Sequence, residues 1–176
     1  VRRGAQVDRD RLMKNGDPKL DERDIRILTI LQKEGRITKT ELAERVNLSP
    51  TPCWSRLKRL EKLGLIEGYR AKIALKRFGL TLVFMEAELE SHRAADFARF
   101  ETEMKQIPEV TGCWAVGGGI DYLIQLMVKD VDAYQRLVDR MLEGGIGLKR
   151  YYTYVVTKAV KDDSPAPLDQ LHVVEH

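Results

Sequence analysis

The sequence predicts an α+β fold in which a small helical domain precedes a domain built on a four-stranded sheet. Between residues 21 and 64, apolar side chains recur every three or four residues with two interruptions, which is typical of three short helices. From Thr81 onward, apolar and polar residues alternate as they do in strands with one buried face. Two stretches with helical spacing separate these strands, so the predicted order is β-α-β-β-α-β, the ferredoxin-like arrangement.

The first two helices are marked by their caps. Asp21 can cap a helix that runs to about Glu34, and Gly35 stops it. The residues from Thr38 to Glu41, T-K-T-E, form a capping box, in which the Thr38 hydroxyl accepts from the backbone three residues on and Glu41 reaches back. A second helix is therefore predicted to begin after Thr38, and Asn47 and Leu48 make the break that follows it.

The third helix is predicted from Ser49, as N-cap, through Pro50 at the first helical position, to Gly64 at its end. Cys53, Leu57, Leu60 and Leu63 supply its buried stripe. This outline matches a winged-helix-like helix-turn-helix. In such a motif, the second of the two helices can lie in the major groove of DNA. The side chains that we expect to contact DNA are Ser49, Thr51, Trp54, Arg56, Lys58, Arg59 and Lys62.

A solvated helix face is the alternative for the basic side chains of the third helix, but the capped helix and tight turn before it favour DNA contact. The charge distribution agrees: residues 21–72 hold twelve Lys and Arg against eight Asp and Glu, whereas residues 73–176 hold twelve against sixteen. Trp54 has two open interpretations, a DNA contact or packing against the first helix.

The second domain begins with a strand in which Val83, Met85, Ala87 and Leu89 share one face. A helix bearing Phe97, Phe100 and Met104 follows and ends before Pro108. Strands Val110–Val116 and Tyr122–Val128 are joined by a glycine-rich turn, Asp130 caps another helix, and Leu148–Thr157 is the last strand.

Composition and spacing divide the chain into five predicted segments. Residues 1–18 are expected to be a disordered or non-native leader, residues 19–68 the helix-turn-helix domain and residues 69–80 a linker. Residues 81–160 are expected to form the βαββαβ domain, and residues 161–176 a loose tail.

Two motifs resemble those of the Lrp/AsnC family of bacterial and archaeal transcription regulators: S-P-T-P-C from Ser49 to Cys53, and R-L-K-R-L-E from Arg56 to Glu61. The resemblance covers about residues 19 to 160. It implies a domain that binds double-stranded operator DNA and a C-terminal domain that senses small molecules, typically amino acids. It also implies homodimers, often four of them in a ring.

The resemblance further implies an effector site around the turn between the second and third strands and the last strand, at a subunit interface. The matching residues are Gly117, Gly118, Gly119, Asp121, Tyr154 and Val155. Many family members carry G-D-x-D-Y at the turn, whereas this chain has Gly119 in place of the first aspartate, which leaves the kind of effector open. Asp121 remains available to an α-ammonium group. A plain hairpin turn is the alternative for the glycines, and the Lys-Ser/Thr of a phosphate-binding loop is lacking.

Other functional classes have little support in the sequence. No catalytic motif, metal-ligand cluster or cofactor motif is present, and Cys53 and Cys113 are expected to be packed thiols. No apolar run reaches the ~20 residues that span a bilayer, and no signal peptide opens the chain, so we expect a cytoplasmic protein. The main alternative function is a DNA-independent allosteric, amino-acid-binding subunit of an enzyme. An RNA-binding sheet is a weaker one, since the C-terminal half is acidic.

Overall fold

The computed structural model describes residues 19–162 and 164–170. The predicted leader, residues 1–18, and the last residues of the predicted tail, 171–176, lie outside the described residues. The chain divides into two compact units. In the described residues, the helix unit comprises residues 19–71 together with 164–170, and the sheet unit comprises residues 72–162.

The helix unit contains α1 (Glu22–Lys33), α2 (Lys39–Arg45) and α3 (Pro50–Lys62), as the sequence predicts. Asp21 caps α1 in a reciprocal pair with Asp24: each carboxylate accepts the other residue's backbone N–H, at 2.9 and 3.1 Å. At α2, the Thr38 hydroxyl accepts the Glu41 N–H at 3.2 Å as expected, but among the described residues the predicted return bond from the Thr38 N–H to the Glu41 side chain does not form.

The turns around α3 agree with the sequence in all but one respect. Asn47 adopts a φ of 54°, a left-handed conformation that asparagine tolerates. Gly64, with φ at 72°, lets the Leu65 N–H reach the Leu60 carbonyl and closes the helix end. The predicted cap by the Ser49 hydroxyl is wrong: Ser49 occupies the N-cap position, but its side chain caps no N–H group among the described residues. Pro50 at the helix start already removes one of the amides that need a cap.

The sheet unit consists of β1 (Thr81–Leu89), α4 (Ala94–Gln106), β2 (Val110–Ala115), β3 (Tyr122–Val128), α5 (Val131–Glu143) and β4 (Leu148–Val155). The sheet order is β2-β3-β1-β4, and every neighbouring pair is antiparallel. This confirms the predicted βαββαβ domain, although β2 and β4 end one and two residues earlier than expected.

Both helices of this unit pack on one face of the sheet. Val83, Met85 and Ala87 of β1 point into the core that α4 and α5 complete with Phe100 and Val138. Because side chains alternate along a strand, the intervening residues form a second face, which we call the open face. Its apolar members are Leu82, Phe84, Trp114, Leu123, Met127, Tyr152 and Tyr154.

The segment after β4 differs from the loose tail that the sequence predicts. Leu168–Gln170 forms a short 3-10 helix that lies against α1 in the helix unit. Ala166 is hydrogen bonded to the Gln32 side chain through both its N–H and its carbonyl. A second 3-10 helix, Leu75–Phe78, lies in the stretch predicted as the linker.

Candidate nucleic-acid interface and effector site

One side of α3 forms an exposed polar stripe. Thr51, Ser55, Lys58 and Lys62 are spaced by four, three and four residues, so they lie on one helix face, and all four are exposed. The Lys58 side chain is 57% exposed and its ammonium lies 3.0 Å from Glu61. We call these four residues the outer stripe.

Arg56 and Arg59, which we expect to contact DNA, form ion pairs with carboxylates of α1 and its cap. The Arg56 guanidinium lies 2.6 Å from Asp21 and 2.9 Å from Asp24, and the Arg59 guanidinium pairs with the other oxygen of Asp24. Arg59 also donates to the Lys19 carbonyl at 3.2 Å. Each side chain is thus held by a carboxylate of α1 or its cap, yet Arg56 remains 27% and Arg59 43% exposed, so DNA contact by either one stays a prediction.

Asp24 lies at the centre of a charged cluster that also contains Asp21, Arg56 and Arg59, which we call the Asp24 cluster. Its side chain is 1% exposed, yet it receives the Asp21 N–H and the guanidinium groups of Arg56 and Arg59. A buried carboxylate is tolerated only where donors of this kind replace water. For Asp21, burial opposes ionisation, but the Asp24 N–H and Arg56 outweigh it, so the pKa of Asp21 is lowered. The cluster fixes α3 against α1.

Sequence reasoning missed Asp24, although a signal was present. It stands three residues before Ile27, which is fully buried, and therefore lies on the buried side of α1. Likewise, Arg56 stands three residues after Cys53 and four before Leu60, so helical spacing places it beside the buried stripe of α3. A buried acid facing a half-buried base predicts an ion pair between the two helices.

Trp54 is half-buried and packs against the core of the helix unit. The Lys39 ammonium, from α2, lies 3.4 Å from the ring centroid, and that of Lys58 lies 4.7 Å away. This geometry is that of a cation–π contact. It places two positive charges beside the ring and leaves a DNA contact by Trp54 as a prediction.

In the sheet unit, the glycine-rich turn between β2 and β3 is exposed at Gly117, Gly118 and Gly119. The Val116 N–H donates to the Asp121 carbonyl at 2.9 Å and closes the turn. Gly118 has a φ of 149°, a conformation that favours glycine. The hairpin explanation therefore accounts for part of the glycine run.

The Asp121 carboxylate is 17% exposed and already has partners within the chain. It accepts the Leu89 N–H at 2.8 Å, and its two oxygens lie 3.1 and 3.2 Å from Nε2 of His92. Sequence reasoning placed His92 outside the core elements and gave no signal for this contact. Asp121 thus joins the end of β1, the start of the following loop and the β2–β3 turn.

Tyr154 and Val155 do not lie beside Asp121 within one chain. Tyr154 pairs with Phe84 in β1, whereas the Asp121 N–H bonds to Ala87, three residues or roughly 10 Å farther along that strand. The Tyr154 hydroxyl donates to Glu86 on the open face at 3.2 Å. Val155 pairs with Val83 and points to the opposite face of the sheet.

A cavity of about 340 Å³ lies between α4 and β2, apart from the turn. The Tyr122 hydroxyl donates there to Glu101 at 2.9 Å, and burial raises the pKa of the Cys113 thiol to about 11.

Both described cysteines are free thiols, Cys53 buried and Cys113 half-buried. Across residues 19–162 and 164–170, no group of three His, Cys, Asp or Glu could hold a metal ion. No helix in that same part of the chain could cross a membrane.

Comparisons with known proteins agree with this geometry. Residues 20–67 match a family model described as winged helix-turn-helix DNA-binding, and residues 82–166 match the Lrp/AsnC ligand binding domain. The chain is 51% identical over 150 residues to the transcriptional regulatory protein DoeX of Halomonas elongata, covering 83% of this chain and 93% of the relative.

Two further proteins named as regulators are similar to this chain. The leucine-responsive regulatory protein of Escherichia coli K12 is 40% identical over 146 residues, 82% of this chain and 89% of the relative. The crystal structure of the Neisseria meningitidis transcriptional regulator NMB0573 with L-Met is 34% identical, with a TM-score of 0.80 over 85% of this chain and 97% of the other. This chain therefore belongs to the Lrp/AsnC family and is a DNA-binding, ligand-responsive transcription regulator.

Proposed function

We propose that the regulator contacts operator DNA through the outer stripe of α3, and that an amino acid bound to the sheet unit changes this binding. The proposal rests on the outer stripe, because its four exposed polar side chains share one helix face and two of them are lysines. Lysine and hydroxyl side chains are common donors to DNA phosphates and base edges. The Asp24 cluster fixes α3 against α1, on a different side of α3 from the outer stripe.

The seven residues expected to contact DNA have different proposed roles, some as direct contacts and some as supports of α3. Thr51, Lys58 and Lys62 lie on the outer stripe and contact DNA directly, joined by Ser55. Ser49, exposed at the N-terminal end of α3, lies where backbone N–H groups favour a phosphate. Trp54 supports the lysines beside its ring, whereas Arg56 and Arg59 act mainly by positioning the helix.

Replacing Lys58 and Lys62 together with alanine should weaken DNA binding without loss of stability, because both side chains are exposed. Each lost phosphate contact removes about 0.9 from the slope of log affinity against log salt, so the slope should fall by about two. Fluorescence anisotropy of a labelled duplex at several salt concentrations measures both quantities. Lys105→Ala, an exposed lysine of α4, is the matched control. An unchanged slope in the double variant would remove the outer stripe from the interface.

For the effector, the support comes from the matched ligand-binding domain and from the related regulator solved with L-Met. An α-amino acid presents an ammonium group and a carboxylate. We propose that Asp121 faces the ammonium group and that the exposed glycines of the turn let the ligand approach the backbone. Because Tyr154 and Val155 lie away from Asp121 in one chain, we propose that they come from a second subunit.

Asp121→Asn should abolish the response to the effector while the protein stays folded. The amide keeps the size of the side chain and an oxygen that can accept the Leu89 N–H, but it lacks the charge that attracts an ammonium group. DNA anisotropy with an L-methionine titration measures the response, and a melting curve measures stability. If Asp121 only fixes the turn, the variant will melt at a lower temperature and still respond at the wild-type ligand concentration.

We also propose that the regulator assembles as a homodimer or a higher oligomer, such as an octamer, through the open face. One α3 contacts one half-site, and two half-sites about 34 Å apart need two subunits. We propose cytoplasmic action, because the target is DNA, and a role without catalysis, because the relatives are named as regulators. The alternative of a DNA-independent enzyme subunit does not account for the outer stripe.

A further inference from the structure

We propose that residues 164–170 are a docking strap, by which the chain returns from the sheet unit and binds an apolar groove of the helix unit. The groove lies between α1 and the segment that follows α3. The occupant is this segment of the chain itself, as the contacts of Gln32 and Leu168 indicate.

The first contact is a two-point hydrogen-bonded clamp. The Ala166 N–H donates to Oε1 of Gln32 at 2.9 Å, and Nε2 of Gln32 donates to the Ala166 carbonyl at 3.3 Å. One side-chain amide therefore satisfies both polar groups of one backbone residue, 134 positions away. A pair of bonds of this kind fixes the position of the strap along α1, since a shift by one residue would break both.

The second contact is apolar. Leu168 lines a groove of about 440 Å³ whose other apolar walls are Leu20, Ile25, Leu28, Leu31, Leu65 and Ile66. The 3-10 turn places Leu168 there: its N–H donates to the Ala166 carbonyl at 2.8 Å, and the Gln170 N–H donates to Pro167 at 3.1 Å. The clamp and the apolar contact thus lie within three residues of each other and support the same placement.

The groove leaves the DNA-contacting side free. Among the described residues that line it, none belongs to α3. The strap is therefore not an inhibitor of the outer stripe. It supports α1, the helix that carries Asp24.

Hydrogen exchange of the full-length protein tests the strap. Leu168→Asp places a charge against the groove, and Gln32→Ala removes the clamp; neither residue lies in α3. In both variants we expect the amides of α1 to exchange roughly five- to tenfold faster, with the strands of the sheet unit unchanged. Gln170→Ala, at the exposed end of the same turn, is the control and should leave exchange in α1 at the wild-type rate.

Leu168→Asp is the decisive variant, because residue 168 is far from α1 in sequence and can affect it only by contact. Faster exchange in α1 in both variants, with Gln170→Ala silent, supports the strap. Wild-type exchange in α1 for Leu168→Asp would overturn the proposal, whatever the result for Gln32→Ala.

Discussion

Replacing Arg56 and Arg59 together with alanine should destabilise the helix unit by about 3–5 kcal/mol, the usual cost of leaving a buried charge without its partners. Asp24 is 1% exposed and, among the described residues, would keep only the Asp21 N–H as a donor. Because small domains are stable by only about 5–15 kcal/mol, much of the unit's stability would be lost. Urea unfolding followed by circular dichroism measures the change.

Two further variants separate this structural role from DNA contact. Arg45→Ala breaks an exposed pair with Glu34 at 2.7 Å and should change stability little, since exposed pairs contribute little. Adding Asp24→Asn to the double variant removes the buried charge and should restore part of the stability. If the arginines mainly contact DNA, the double variant will instead keep wild-type stability and lose DNA affinity.

Phe84→Glu should convert the assembly into a monomer. Phe84 lies near the middle of the open face, where it pairs with Tyr154 on one side and Gln125 on the other. Trp114, Tyr152 and Tyr154 on this face remain about half exposed in a single chain. Exposed apolar patches of this kind usually mark interfaces, and a charge at their centre would have to be buried unpaired.

Light scattering should then report a species of 20.2 kDa for Phe84→Glu and a larger one for the wild type. DNA affinity should fall on the order of a hundredfold, because the second half-site would no longer bind within the same complex. Val131→Glu is the matched control, since Val131 is an exposed apolar residue outside the open face. A wild-type chain that scatters as a monomer at micromolar concentration would contradict the proposed assembly.

The elements of the fold were predictable where one local rule decides them. Alternation in β1 identified Val83, Met85 and Ala87 as core residues, and all three are fully buried. The caps at Asp21 and Asp130 predicted helix starts, because a short carboxylate before an apolar stripe has few other uses. Periodicity gives the direction of a side chain on its own element, but it failed at the end of α3, where Leu63 was expected in the buried stripe and is 44% exposed.

Contacts between distant segments were not predictable in the same way. Spacing alone does not show what packs opposite Arg56, so its pairing with Asp24 was missed. Likewise, nothing near Asp121 in the sequence indicates the Leu89 N–H or His92. The strap was missed for the same reason, since Gln32 and Ala166 are joined by tertiary contact and not by any local pattern.

We propose that one chain binds DNA through α3 and that a small molecule acting on its sheet unit changes this binding. The most direct measurement is duplex affinity of the wild-type protein, at low and physiological salt, with and without each common amino acid. We expect an affinity that falls steeply with salt and changes severalfold with at least one amino acid, as a coupling of about 1–3 kcal/mol requires. Absence of DNA binding at low salt would contradict it, and so would binding that no amino acid alters.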